Sequence, residues 1–185
     1  MKLSIVIVVL FGVCLSQSLA TDNVSENNQG NIGGSSHQTV SINNDKHVAN
    51  IDSNNGWNSW NSVLDYKTGF MATRVFSKKS CIIAKMNKNV MPDIVEIPKL
   101  LEERKKTVAQ GPPPKELRYA VSKTRVPDLT PYGKNIEALC KGLPTYVAHE
   151  VQRPKGANFF YSGSCIDASI LWVINIGFCG EAEFK

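Results

Sequence analysis

With 185 residues, a formal net charge of +5 and 42% hydrophobic residues, the chain is long enough to form one core with appendages. Its cations are densest at Arg74–Lys79 and Arg104–Lys106. They are not interleaved with aromatic side chains, which argues against nucleic acid as a partner. Size and composition exclude few other classes of protein.

The first 20 residues have the pattern of a signal peptide. A lysine precedes an apolar run from Leu3 to Leu15, and small residues at Ser18 and Ala20 suit signal peptidase, which places the mature N-terminus at Thr21. About thirteen apolar residues are too few to span a bilayer, for which roughly 20 are needed. We therefore expect a secreted protein without a membrane span, in transit through the Golgi and secretory granules.

Residues 21–36 consist mainly of Asn, Gly and Ser. Such a segment has too little apolar surface to offset the entropy of ordering, so we expect a flexible leader. Asn23 begins the one N-glycosylation sequon and is a possible glycosylation site.

The strands are predicted early in the chain. Thr39–Ile42 and Val48–Ile51 alternate on either side of the turn-forming residues Asn43–Lys46, which indicates a hairpin. Three further strands follow, over Trp57–Tyr66, Phe70–Phe76 and Ser80–Met86.

A helix is predicted next, because Ile97, Leu100, Leu101 and Val108 recur at helical spacing, with its entry at Pro98. A mobile loop at Gly111–Pro114 and a strand over Leu117–Val121 follow it.

A second helix has clearer boundaries. Thr130 is its predicted cap, Pro131 suits its first turn, and Gly142 with Pro144 stops it. Its buried face carries Ile136, Leu139 and Cys140. A strand over Thr145–Val151 and two C-terminal apolar runs complete an α+β fold with an antiparallel sheet.

The mature chain would keep four cysteines, and in an oxidising compartment these can pair in three ways. They are Cys81, Cys140, Cys165 and Cys179. We favour Cys81 with Cys140, because this bridge would tie the second helix to a strand beside Ile82. The remaining two would close a shorter loop.

No catalytic or metal-binding pattern is found. The three histidines, His37, His47 and His149, have no ligand spacing to cysteine or carboxylate, and there is no C-x-x-C pair, nucleophile elbow or Gly-rich phosphate loop. We expect neither an enzyme nor a cofactor. A hydrolase, as an alternative, would need a nucleophile within hydrogen-bond reach of His47 or His149.

Two features remain. Asp65 lies between Leu64 and Tyr66, where burial would make folding respond to pH, although its spacing alone favours an exposed side chain. Ser169–Phe178 has no charge and no proline, a composition typical of cross-β segments. A buried central strand is the favoured interpretation, and a segment that must be shielded is the alternative.

Three stretches resemble the gastrokines, secreted proteins of the gastric mucosa that contain a BRICHOS domain. They are residues 47–92 (HVANIDSNNGWNSWNSVLDYKTGFMATRVFSKKSCIIAKMNKNVMP), 139–146 (LCKGLPTY) and 159–179 (FFYSGSCIDASILWVINIGFC). The residues that match the sparse BRICHOS pattern are Asp65, Cys81 and Cys140. The resemblance implies a BRICHOS-like antiparallel sheet of about five strands flanked by two helices. It also implies a structural or pH-sensitive role for Asp65.

The resemblance divides the chain into a signal peptide (1–20), a leader and hairpin (21–52), a BRICHOS domain (53–151) and a β-prone C-terminal segment with the second disulfide (152–185). It implies epithelial protection, growth regulation and an anti-aggregation chaperone activity towards β-prone polypeptide clients. A covalent trefoil partner, known for one gastrokine, is not expected with an even cysteine count. The alternative is a growth factor without a chaperone role that binds an epithelial receptor through Arg74–Lys79.

Overall fold

The computed structural model describes residues 21–30, 34–106, 115–151, 164–170 and 173–180. The first 20 residues, Val108 and Gly111–Pro114 lie outside these ranges. The strands are β1 (Thr21–Gly30), β2 (Gly34–Asn43), β3 (Val48–Asn54), β4 (Trp60–Asp65), β5 (Phe70–Val75), β6 (Ser80–Lys85), β7 (Lys115–Arg125), β8 (Thr145–Glu150), β9 (Ser164–Ile170) and β10 (Ile174–Gly180). The helices are α1 (Ile97–Lys106) and α2 (Lys134–Cys140), with 3₁₀ turns at Gly56–Asn58 and Thr130–Tyr132.

All these strands form one sheet in the order β1-β2-β3-β4-β5-β6-β8-β7-β10-β9. The expected number of about five strands was wrong, since the described chain has ten. The sheet is also not purely antiparallel, because β8 pairs with β6, and β10 with β7, in parallel. The α+β class holds. The two strands of each parallel pair are separated along the chain by other strands of the same sheet.

The leader is the largest departure from the prediction. Instead of remaining unpaired, β1 runs antiparallel to β2 from the pair Thr21–Asn43 to the pair Gly30–Gly34. A polar segment can form a strand without a core of its own when a sheet edge supplies its backbone partners. The backbone of Asn23 lies in this strand opposite Ser41, and its glycosylation stays a prediction.

The predicted hairpin is confirmed as β2 and β3, with Val40 opposite Ile51. Its turn is held by the Asn43 side chain, whose Oδ1 accepts a hydrogen bond from the Lys46 amide at 2.9 Å. His47 completes the turn with a φ of +53°. The next three predicted strands are confirmed as β4, β5 and β6.

The inner face of the sheet carries the larger apolar core, which draws on every strand from β2 to β10 and on the segment before α1. The sheet bends so that β9 and β10 approach β2, β3 and β4. A small apolar cavity is lined from both sides, by Val40, Ile51 and Leu64 and by Ile170 and Ile174. Gln38 Nε2 on β2 donates to the carbonyl oxygen of Ser169 on β9 at 2.8 Å, which ties these strands together directly.

The outer face carries α2. Ile136 and Cys140 of this helix pack on Ala72, Cys81 and Ile83 of the sheet. The predicted cap was wrong: the helix is preceded by a 3₁₀ turn, and Gly133 is its N-cap. The Thr130 hydroxyl is engaged elsewhere, because it donates to the Asp128 carboxylate at 2.7 Å. No helix within the described ranges is both long and apolar enough to cross a bilayer.

Candidate functional site

Asp65 ends β4 and is buried at the outer face beside the start of α2, with 2% of its surface exposed. Its Oδ1 accepts from the Thr68 amide at 3.0 Å, and its Oδ2 accepts from Asn135 Nδ2 at 2.8 Å. The carboxylate therefore joins the β4–β5 turn to α2. Spacing alone favoured an exposed side chain, and the structure places it inside.

Gly133 is a site residue that the sequence interpretation missed. Its φ of +95° and ψ of 158° belong to a region that is essentially restricted to glycine. A Cβ here would lie 2.9 Å from Thr68 Cγ2 and 3.7 Å from Asp65 Oδ2. The glycine lets the chain pass close to the Asp65 carboxylate. A glycine before a helix signals a turn, but its contact with a distant carboxylate has no sequence signal.

The disulfide between Cys81 and Cys140 fixes the other end of α2. Both residues are fully buried, and their Cα atoms are 5.5 Å apart. Because Cys81 lies in β6 and Cys140 ends α2, the bridge joins helix and sheet, as the favoured pairing required. Asp65 and this disulfide thus hold the two ends of the same helix.

The C-terminal hairpin contains the segment that the sequence marked as β-prone. In it, β9 and β10 are antiparallel, and Cys165 lies directly opposite Cys179 in a second disulfide. β10 is a central strand between β9 and β7. Its side chains Ile174, Ile176 and Phe178 are at most 2% exposed. Residues Ile174–Phe178 of the segment therefore form a buried central strand, as the favoured interpretation predicted. Ser169 and Ile170 instead end β9, the strand beside it, and residues 171–172 lie outside the described ranges.

Aromatic and ionic contacts hold β7 and the hairpin together. The rings of Tyr119 and Phe178 are 5.8 Å apart. Burial raises the pKa of Tyr119 well above its ordinary value, and the nearby Glu150 carboxylate adds to the effect. The hydroxyl therefore stays protonated and donates to the Lys85 carbonyl oxygen at 3.1 Å. On the outer face Arg118 reaches past Gly177 to Asp167 on β9, with 3.0 Å between Nη1 and Oδ1.

β9 is an end strand, because β10 is the one described strand that pairs with it. The Cα atoms of Cys165 and Cys179 are 4.1 Å apart, a spacing typical of a non-hydrogen-bonded pair in an antiparallel ladder. Cys165, Asp167 and Ser169 then direct their backbone N–H and C=O groups away from β10. The Gln38 contact to the Ser169 carbonyl agrees with this direction. This row of backbone groups, the β9 edge, is the candidate peptide-binding site.

The histidines do not form a site among the described residues. His37 lies in β2, His47 lies in the β2–β3 turn, and His149 is exposed on β8. Within the described ranges, no group of three His, Cys, Asp or Glu residues could hold a metal ion. No described serine or cysteine is hydrogen-bonded to His47 or His149, so the geometry that a hydrolase would need is not found there.

We expect Asp65→Ala to lower the free energy of unfolding by about 3 kcal/mol, because it leaves the Thr68 amide and the Asn135 side chain without their charged acceptor. Urea unfolding followed by circular dichroism measures this loss. Asp65→Asn is the matched control, since Asn135 can turn its amide and keep both hydrogen bonds. Equal losses for the two variants would contradict the assigned contacts.

Comparison with known proteins agrees with this arrangement. Residues 56–147 match the BRICHOS domain family, which covers Asp65, Cys81 and Cys140. The chain is 50% identical to human gastrokine-1 over 183 residues, covering 98% of each protein. It is 52% identical to pig gastrokine-1, covering 97% of each, and 32% identical to human gastrokine-3, covering 90% of each.

No solved structure matches the chain. The match to gastrokine-1 nevertheless extends over nearly the whole sequence, including the C-terminal hairpin that lies beyond the BRICHOS match. The chain therefore belongs to the gastrokine family and contains its BRICHOS domain.

Proposed function

We propose that this protein is secreted onto the gastric mucosa, where it binds β-prone polypeptides, prevents their aggregation and so protects the epithelium and regulates its growth. The observation that carries the proposal is the β9 edge beside a strand of unusually β-prone composition. The sheet already accommodates β10 as a central strand, with Ile174, Ile176 and Phe178 in its core. β9 already pairs with β10 along one edge, and its opposite edge offers a further extended strand the same kind of backbone hydrogen bonds.

The mechanism is strand addition. A client in extended conformation would hydrogen-bond to the outward backbone groups of Cys165 and Asp167, and so extend the sheet by one strand. A bound client loses one of the two edges through which a fibril grows.

Gln38 limits the length of this edge. Its side-chain amide already donates to the carbonyl oxygen of Ser169. A client strand that continues along β9 must therefore displace this amide. The four described cysteines are paired within the chain, which supports non-covalent binding of the proposed clients.

The test is fibril formation by an amyloid-prone peptide with substoichiometric amounts of the secreted protein, followed by thioflavin fluorescence. We expect the wild-type protein to delay fibrils. Gln38→Ala should lengthen the delay, since it frees the Ser169 carbonyl. Asp167→Pro should shorten the delay, because proline lacks the outward N–H that would bind the client. The variant should still fold, since an edge strand tolerates proline where the N–H faces away from its neighbour.

Asp167→Asn is the control for the proline variant. It removes the same charge, and with it the ion pair to Arg118, but keeps the backbone N–H. We expect it to retain the delay, once circular dichroism has shown that both variants are folded. If the folded wild-type protein caused no delay, the chaperone proposal would fail. If Asn and Pro shortened the delay equally, the β9 edge would not be the site.

A further inference from the structure

Two turns at one end of the sheet expose aromatic rings to solvent. Among the described residues, the exposed large apolar side chains are Trp57, Phe76 and Val95. Trp57 lies in the 3₁₀ turn before β4 and is 81% exposed. Phe76 directly follows β5 and is 46% exposed. The Phe76 amide donates to the Ser59 carbonyl oxygen at 3.3 Å, so the two turns are adjacent.

Cations accompany these rings. The guanidinium carbon of Arg74 lies 5.1 Å from the centroid of the Phe76 ring, and Lys78 and Lys79 follow in the β5–β6 turn. Residues 55–63 and 74–79 contain no acidic residue. The acid nearest to them in the strand register is Asp52, whose carboxylate is contacted by the Asn61 amide. We call Trp57, Arg74, Phe76, Lys78 and Lys79 the aromatic–basic end.

Lys79 has a backbone conformation that lysine rarely adopts. Its φ is +48°, in the left-handed region, where glycine is the usual residue after a tight turn. Its amide donates to the Phe76 carbonyl oxygen at 3.1 Å, which closes the turn. A lysine at such a position costs folding stability, and strained positions of this kind cluster at functional sites. The turn therefore carries a cation at a position where glycine would fit with less strain, which agrees with a binding surface here.

We infer that the aromatic–basic end docks onto an anionic lipid surface. Trp and Phe rings on protruding turns bind at the boundary between headgroups and acyl chains, where Trp is enriched in membrane proteins. Lys and Arg beside the rings keep their charges in the headgroup layer while their aliphatic stems stay in apolar surroundings. Each cation near an anionic membrane surface adds attraction, which falls off within a Debye length.

The arrangement favours a bilayer over an anionic polysaccharide or protein. The two rings stand out on neighbouring turns, which suits insertion into a flat, yielding surface. The inference does not depend on client binding, because it uses side chains of the β3–β4 and β5–β6 turns and not the backbone groups of β9.

The test is sedimentation of the secreted protein with phosphatidylcholine vesicles that either contain or lack phosphatidylserine. We expect binding to the anionic vesicles, weakened by salt, and a blue shift of tryptophan fluorescence that is lost in Trp57→Phe. Trp57→Ala should weaken binding about tenfold, a loss in keeping with partial burial of one large apolar side chain. Lys79→Gly should weaken it about fivefold, the effect of removing one cation near the surface.

His47→Gly is the matched control, because His47 also has a positive φ, of +53°, but lies in the β2–β3 turn. Both glycine variants should stabilise the fold, and only Lys79→Gly should weaken vesicle binding. If the protein bound sulfated dextran and not the anionic vesicles, a polysaccharide partner would replace the lipid. If it bound neither, or if both glycine variants bound like wild type, the inference would be overturned.

Discussion

The double variant Cys81→Ala, Cys140→Ala is expected to lose about 4 kcal/mol of unfolding free energy, the chain-entropy value for a closed loop of about 60 residues. Both cysteines are fully buried between α2 and the sheet, so alanine avoids placing a new polar group in the core. Urea unfolding of the folded protein measures the loss. Hydrogen exchange of the α2 backbone amides, followed by mass spectrometry, gives a signal that reports whether α2 stays in place.

The control is Cys165→Ala, Cys179→Ala. This bridge joins directly opposed residues of one hairpin and closes a loop of about 15 residues, for which the same relation gives roughly 3 kcal/mol. We expect this variant to keep the α2 signal. If its loss of stability exceeded that of the Cys81–Cys140 variant, the hairpin bridge rather than the helix bridge would be the main covalent support of the fold.

Phe178→Ala is expected to destabilise the protein by about 4 kcal/mol, within the range for a large aromatic removed from a packed core. Phe178 is 1% exposed and lies against Tyr119, where β10 pairs with β7. The loss is measured as a shift of the urea midpoint at an unchanged slope. The variant should also expose the β-prone strand, which is detected as faster aggregation near the midpoint.

Phe178→Leu keeps most of the volume and should cost less than half as much. Ile166→Ala is a control on the same hairpin, since Ile166 lies opposite Phe178 and is only partly buried. A loss for Phe178→Ala no larger than that for Ile166→Ala would show that β10 contributes little to the core.

Local patterns predicted the central strands well. The side chains of β4, β5 and β6 alternate between the two apolar faces of the sheet, and turn residues separate the strands. Their positions therefore follow from the two-residue period and from the turn residues. The β1 strand could not be predicted in this way. Its residues lack an apolar face, and it exists because β2 offers backbone hydrogen bonds to any extended neighbour.

The site was predictable in part. The favoured pairing of Cys81 with Cys140 relied on helical periodicity, which placed Cys140 on the buried face of α2. The burial of Asp65 did not follow from its neighbours, because it depends on Asn135 and Gly133 arriving from a distant segment. The parallel pairing of β10 with β7 likewise has no local signal, because the neighbours of a central strand depend on where all the other strands lie in the sheet.

That pairing constrains the order in which the molecule can be completed. β7 receives one neighbour from β8, but its other neighbour is the last strand of the described chain. At about 5–20 residues per second, synthesis leaves this inner edge open for several seconds after β7 has emerged. A newly made chain therefore passes through a stage in which the unpaired edge of β7 is as prone to aggregation as the clients proposed for the protein. Truncation before residue 174 would make that stage permanent.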